Sequence, residues 1–160
     1  MNLTDIHHLF AYDAWANALI FDCIEPLSEE QYIRPLNSSF PNIRETLAHI
    51  VGVEWIWNRR LHGENPTEIP SWMRDASAPS LRAKLKEVAE EREQFLAAVK
   101  DLEAAIDYRD MAGNPFTQKL ADILQHIVNH STYHRGQLTT MIRQVGVTPP
   151  RTDFLVFARG

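Results

Sequence analysis

The nine prolines of this chain fall in its connections, and that placement limits what it can fold into. They cluster at Pro26–Pro41, Pro66–Pro79, Pro115 and Pro149–Pro150. A proline inside a helix removes a hydrogen bond and clashes with the preceding turn, so long helices must lie between these points. Each gap carries apolar residues at helical spacing. The first runs from a capping Thr4 to about Glu25, with Leu9, Ala16, Leu19, Ile20 and Cys23 recurring. The second opens on Asn42, with Glu45 completing a box-like cap, and carries Ile43, Leu47, Ile50, Val51, Ile56 and Trp57 to about Leu61, where Gly63 suits the stop. The third spans about Leu81 to Leu102 on a stripe of Leu81, Leu85, Val88, Phe95, Leu96, Val99 and Leu102, with a charged, solvated opposite face. The fourth, capped by Thr117, carries Leu120, Ile123, Leu124, Ile127, Val128, Leu138, Met141, Ile142 and Val145, and ends at Gly146.

The expected fold is all-α: one domain over residues 1–160, a four-helix bundle with long connections between helices one and two and between helices two and three. The second connection, 63–79, is long enough to cross the bundle, and its Trp72 and Met73 should pack down. Residues 103–116 turn the chain, with Tyr108-Arg109-Asp110 as a short extended piece and Gly113-Asn-Pro115 as a turn. The near-consecutive Phe154, Leu155, Val156 and Phe157 should be buried against the bundle or a partner subunit.

Charge excludes several partners. The formal net charge is −5, and no basic stripe exists. That argues against nucleic acid and against an anionic membrane surface. No apolar run reaches the 18 residues of a spanning helix, and the start lacks the pattern of a signal peptide. A single cysteine, Cys23, reads as an inert core thiol, and the chain as cytoplasmic.

The chemistry concentrates in the fourth helix. His126, His130 and His134 stand four residues apart, so all three imidazoles lie on one face. The outer two are about 12 Å apart along the axis, too far to grip one ion together. A metal would take His126 with His130, or His130 with His134, and a further ligand must come from elsewhere. His49, among Leu47, Ile50 and Val53, is the candidate on helix two. If helices one and two pack antiparallel, His49 lies level with Asn17, bringing Tyr12-Asp-Ala-Trp15-Ala-Asn17 near the site. Lone histidines and helical aromatics are ordinarily core residues, and no glutamate is convincing as a base. Gly136, beside His134, costs about 1 kcal/mol against alanine in a helix. Close approach of a helix or ligand, or plain tolerance, would account for it.

Three stretches together, Tyr12–Asn17, Ile43-Arg-Glu-Thr-Leu-Ala-His49-Ile and Asn129-His130-Ser-Thr-Tyr-His134-Arg-Gly-Gln137, resemble the DinB/YfiT family of four-helix-bundle metalloproteins over nearly the whole chain. The resemblance implies a divalent metal, zinc or nickel, on His49, His130 and His134. His126, Asn17 and Trp57 then become pocket or supporting residues. It also implies a crossover between helices two and three and a homodimer. Some similar proteins work through low-molecular-weight thiols such as bacillithiol or mycothiol. Three neutral imidazoles leave a fourth metal position open, as in catalytic zinc sites. The expected function is therefore a metal-dependent transferase or hydrolase acting on a small electrophile through an activated thiol or water. The alternative is a non-catalytic, stress-related metal or small-ligand binder.

Overall fold

In the computed structural model, which describes residues 1–160, local capping decides where each helix begins. Helix α1 spans Leu3–Ile24 and starts before Thr4: the Asn2 side chain accepts from the Asp5 amide while the Asp5 carboxylate takes the Asn2 N–H. That reciprocal box satisfies two otherwise orphaned donors and displaces Thr4 into the first turn. A short helix α2, Glu29–Ile33, with its own Ser28–Gln31 box, interrupts the connection expected to be a loop. Helix α3, Ile43–Leu61, matches expectation. The Asn42 side chain caps it, and Gly63 leaves it at φ 81°.

Helix α4 spans Ala78–Ala98, shifted toward the N-terminus from the expected 81–102. Ser77 caps it, and Pro79 sits in the first turn, where its missing N–H has no helical partner to lose. Val99 and Leu102 pack on the core from beyond the helix end. A small hairpin follows, β1 Ala105–Arg109 against β2 Pro115–Lys119, so the chain is mostly rather than wholly helical. Tyr108 and Arg109 are the end of β1. Thr117 lies in β2 and does not cap helix α5, Leu120–Gln144. No side chain caps α5; its Leu120 and Ala121 amides donate to the Ala104 and Leu102 carbonyls. The segment leading into the hairpin thus does the work of a cap. A final turn of helix, α6, covers Phe154–Ala158.

Helix α1 packs beside α5 and α4, and α3 beside α4 and α5. The two helices expected to be antiparallel neighbours, α1 and α3, therefore face each other diagonally. The connection through α2 is long enough to carry the chain across that diagonal. Contacts set the directions. Asp22–Arg82 and His7–Glu93 make α1 and α4 antiparallel. Thr46–Met141 and Trp57–His126 do the same for α3 and α5. Asn58–Glu91 and His62–Phe95 make α3 and α4 parallel. Parallel neighbours need a crossover, and residues 62–77 supply it. A single 3-10 turn, Ser71–Met73, pins this crossover to α3. Met73 lies over Gly52, where a Cβ would stand 2.3 Å from the methionine methyl, and Trp72 meets Trp55 edge-on.

The apolar core is in two parts. One gathers Ile20, Ile24, Ile43, Leu47, Leu81, Met141 and Ile142 at one end. The other gathers Ile6, Phe10, Leu61, Leu96, Leu120 and Leu124 at the opposite end. Between them lies a buried polar layer of Asp13, Asn17, Glu54, Arg92, Ser131 and Arg135. The tail is less buried than expected: Leu155 is 62 % exposed and Phe154 38 %. It folds back on α1, where Phe157 meets Tyr12 and Trp15, and the Tyr12 hydroxyl donates to the Thr152 carbonyl. Cys23 is half-buried, and burial pushes its thiol up, away from the nucleophilic form. No helix is long and apolar enough to cross a membrane.

Candidate metal centre

Antiparallel packing of α3 on α5 brings three imidazoles together. His49 on α3 has its ring 4.9 Å from that of His130 and 4.5 Å from that of His134, and the latter two are 4.4 Å apart. One nitrogen from each lies within 4.8 Å of the others. His49 Nε2 and His130 Nε2 are 3.0 Å apart. Two nitrogens bound to one tetrahedral zinc at 2.0–2.1 Å would be about 3.3 Å apart. The separation found fits that spacing closely. Spacing along α5 left the choice of pair open, and the position of His49 selects His130 with His134. The His126 ring, 5.9 Å from His130, lies outside the group.

The rings are held in the ligating form. Burial, then the neighbouring His134, lowers the His49 pKa from 6.5 to about 4. Burial, then His134, His49 and His126, lowers that of His130 to about 3. Both are neutral at physiological pH, with lone pairs available. The His134 Nδ1–H donates to Gln137 Oε1 at 2.8 Å, and Gln137 Nε2 donates to Ser39 Oγ at 2.9 Å. This fixes the tautomer and leaves Nε2 to ligate, the usual outer support of a metal-bound histidine. His130 Nδ1 is buried without a partner. Three convergent imidazoles with this support suit a borderline-soft divalent ion. Phe40, not singled out from the sequence, stacks obliquely on His49 at 4.5 Å and forms one wall.

These depressed values set a pH dependence. As pH falls below 6.5 the unfolded chain protonates His49 and His130 first, because their folded pKa values lie lower. Their contribution to stability is complete above 6.5 and is lost as pH falls through the window toward 4 and 3. The metal-free protein should therefore lose melting temperature more steeply between pH 6.5 and 4 than its His49→Gln variant does. Parallel melting curves for the two proteins would contradict the shift at His49.

Behind the group sits the polar layer. Asn17 Nδ2 donates to Asp13 at 2.9 Å and to Glu54 at 3.4 Å. Ser131 donates to Glu54 Oε1 at 3.1 Å, and Arg92 to Glu54 Oε2 at 2.8 Å. Arg135 pairs with Asp13 and donates to Asn17 Oδ1 at 2.8 Å. Asn17 is thus a member of this layer, with no hydrogen bond to a histidine. Apart from Asn17, the sequence reading missed this layer, although a signal exists. Asp13 and Asn17 fall on the stripe Ile6, Phe10, Ile20, Ile24, and Ser131 and Arg135 on Val128, Leu138, Ile142. Glu54 lies between Ile50 and Trp57, and Arg92 between Val88 and Phe95. A polar residue at the same level of every long helix's apolar stripe marks a shared buried layer. Trp57 is buried against His126 and Tyr108, a step beyond the three histidines. A Cβ at Gly136 would meet nothing within 4 Å, so no helix approach explains that glycine.

Comparison with known proteins places the fold. The sequence pattern of the DinB family matches residues 1–160, and the chain belongs to that family. It is 28 % identical to Protein DinB of Bacillus subtilis (strain 168) over 162 residues, covering 91 % of this chain and 89 % of that protein. It is 24 % identical to the uncharacterized protein YizA of the same strain over 149 residues, with 91 % of each covered. Among solved structures, a crystal structure of a DinB-like protein from Bacillus cereus ATCC 10987 superposes with a TM-score of 0.68 at 19 % identity, covering 91 % of this chain and 94 % of that one.

Proposed function

We propose that this member of the DinB family is a metal-dependent enzyme that uses His49, His130 and His134 to hold a divalent ion, zinc or nickel, and acts on a small electrophile with a low-molecular-weight thiol or water. The observation that carries this reading is the convergence of three imidazoles from two helices, with no fourth histidine, cysteine or carboxylate in the group. Three protein ligands are the mark of a catalytic rather than a structural site. A divalent ion held there would supply Lewis-acid chemistry, lowering the pKa of a water or thiol at its open position.

The protein's own residues then have limited, definite tasks. Gln137 and Ser39 hold the His134 tautomer, and Phe40 shields the His49 side from water. Glu54 is not a free base, because Arg92, Ser131 and Asn17 occupy its oxygens. The same reading takes the protein to be a homodimer.

The test is a screen of the zinc- and nickel-loaded protein for thiol- or water-dependent consumption of small electrophiles, with His130→Ala as the control. Turnover present in the parent and absent in the variant supports the enzyme. Stoichiometric metal with no turnover against any electrophile leaves a non-catalytic binder.

A further inference from the structure

Three arginines of this chain are buried: Arg60, Arg92 and Arg135. Arg92 faces Glu54 and Arg135 faces Asp13. Arg60, only 7 % exposed, forms no ion pair and no hydrogen bond, and its Nε is buried without a partner. Its guanidinium lies 4.6 Å from the centre of the Trp57 ring and 5.2 Å from that of Tyr108. The two rings hold the group in place but supply no counter-charge. Asp110, whose charge is felt at Arg60, is half-buried and turned to its own loop, accepting from Ala112 and Asn114. The adjacent Arg59 has its charge met by Glu64 and Glu91. Only Nε is cut off from water; the two terminal nitrogens keep solvent contact with no protein partner, and a guanidinium fixed in this way can receive a planar anion on both.

Arg60 also has a defined relation to the histidine group. From His130 the rings step to His126 at 5.9 Å and to Trp57 at 5.3 Å, and Trp57 carries the guanidinium. His49 and Arg60 lie on one helix, eleven residues and about 16 Å of rise apart. Beyond Arg60, the hairpin residues Tyr108 and Phe116 stack at 5.7 Å.

We propose that Arg60 anchors an anionic group, a carboxylate or phosphate, on a small elongated ligand whose other end reaches His49, His130 and His134, with His126 and Trp57 lining the path between. This rests on the reading of the three histidines as a metal centre and adds the substrate class: a molecule with its charge remote from its reacting end. Arg60 is a specificity residue in this arrangement, since it touches the ligand away from the reacting atoms.

The test uses cobalt-loaded protein titrated with mercaptoalkanoates of increasing chain length, each against its methyl ester, following the visible absorption of the cobalt. At the matching length the acid should bind about tenfold or more tighter than its ester. Arg60→Met should abolish that preference while binding cobalt as the parent does. Arg60→Lys, which keeps the charge but not the fork, should retain part of it and serves if the methionine variant fails to fold. A second measurement needs no metal: octanoate, but not octanol, should shift the His126 ring resonances of the metal-free protein, and not in Arg60→Met. Equal binding of acid and ester by the cobalt-loaded parent overturns the Arg60 assignment and leaves the metal centre standing. No cobalt binding by the parent, with an Arg60-dependent octanoate shift, overturns the metal centre and leaves the anion anchor.

Discussion

His130→Ala is expected to lose stoichiometric zinc or nickel, with affinity falling by more than about 100-fold, while the helical fold persists. Its Nε2 is the nitrogen 3.0 Å from His49 Nε2, and its ring is 4.4 Å from that of His134, so it meets both other members. Without it, His49 and His134 remain as two ligands on different helices, and the turn of α5 that held the pair contributes one ring in place of two. Loss of a partner that merely orients a ligand costs 10–100-fold in typical sites, and loss of the ligand itself should exceed that range. The paired control is His126→Ala. Its ring lies on the same face of α5 yet outside the group, and that variant should bind metal as the parent does. Gln137→Ala should fall between them, since it frees the His134 Nδ1–H without removing a ligand. Metal content after dialysis and chelator competition reads all three, with circular dichroism confirming the fold. Full metal content in His130→Ala, or an equal loss in His126→Ala, would refute the assignment of ligands.

Arg135→Met should be the most destabilising single substitution in the bundle, by about 3–5 kcal/mol. The guanidinium is 1 % exposed, pairs with an equally buried Asp13, donates to Asn17 and Thr132, and lies 5.4 Å from the centre of the Tyr12 ring. Methionine fills much of the volume, so the cost is chiefly electrostatic: Asp13 would be left buried facing Glu54. Burial, then the Glu54 charge, already pushes the Asp13 carboxyl up to about 7 against the pull of Arg135. Removing Arg135 removes that pull, and Asp13 would stay protonated to higher pH. For a chain of this length the loss corresponds to a drop of roughly 6–20 °C in melting temperature. Asp13→Asn added to Arg135→Met should recover part of it, because the buried carboxyl that must then hold a proton is gone. A drop of less than about 2 °C, or no recovery in the double variant, would show that the pair does not carry the layer. Ser131 and Arg135 lie next to His130 and His134 in sequence, so the same substitution should also loosen the metal centre, more weakly than His130→Ala.

The hairpin shows why some elements stayed out of reach of sequence reading. Each strand is five residues long, and β2 is exposed throughout, so it carries no apolar alternation to read. The carbonyls that take the first amides of α5, on Leu102 and Ala104 just before β1, make a contact between segments that leaves no local mark. The starts of α1 and α4 moved by a few residues for a related reason. Several residues near each end can cap a helix, and Asn2 with Asp5, or Ser77 with Pro79, prevail through backbone geometry that spacing does not express.

Proline placement and apolar periodicity determined four long helices, because both act within one turn of the chain. The same locality put three imidazoles on one face of the last helix. Which helices became neighbours and whether Arg60 met a counter-charge were decided by tertiary structure alone; helical spacing left open whether His126 or His134 joined His130, the resemblance implied His134, and the packing of α3 on α5 brings His134 into the group. Those outcomes depend on the direction and diagonal order of α1, α3, α4 and α5, set by burying two apolar clusters around one polar layer. A side chain's chemistry is written at its own position, but its partner is chosen by how the rods pack.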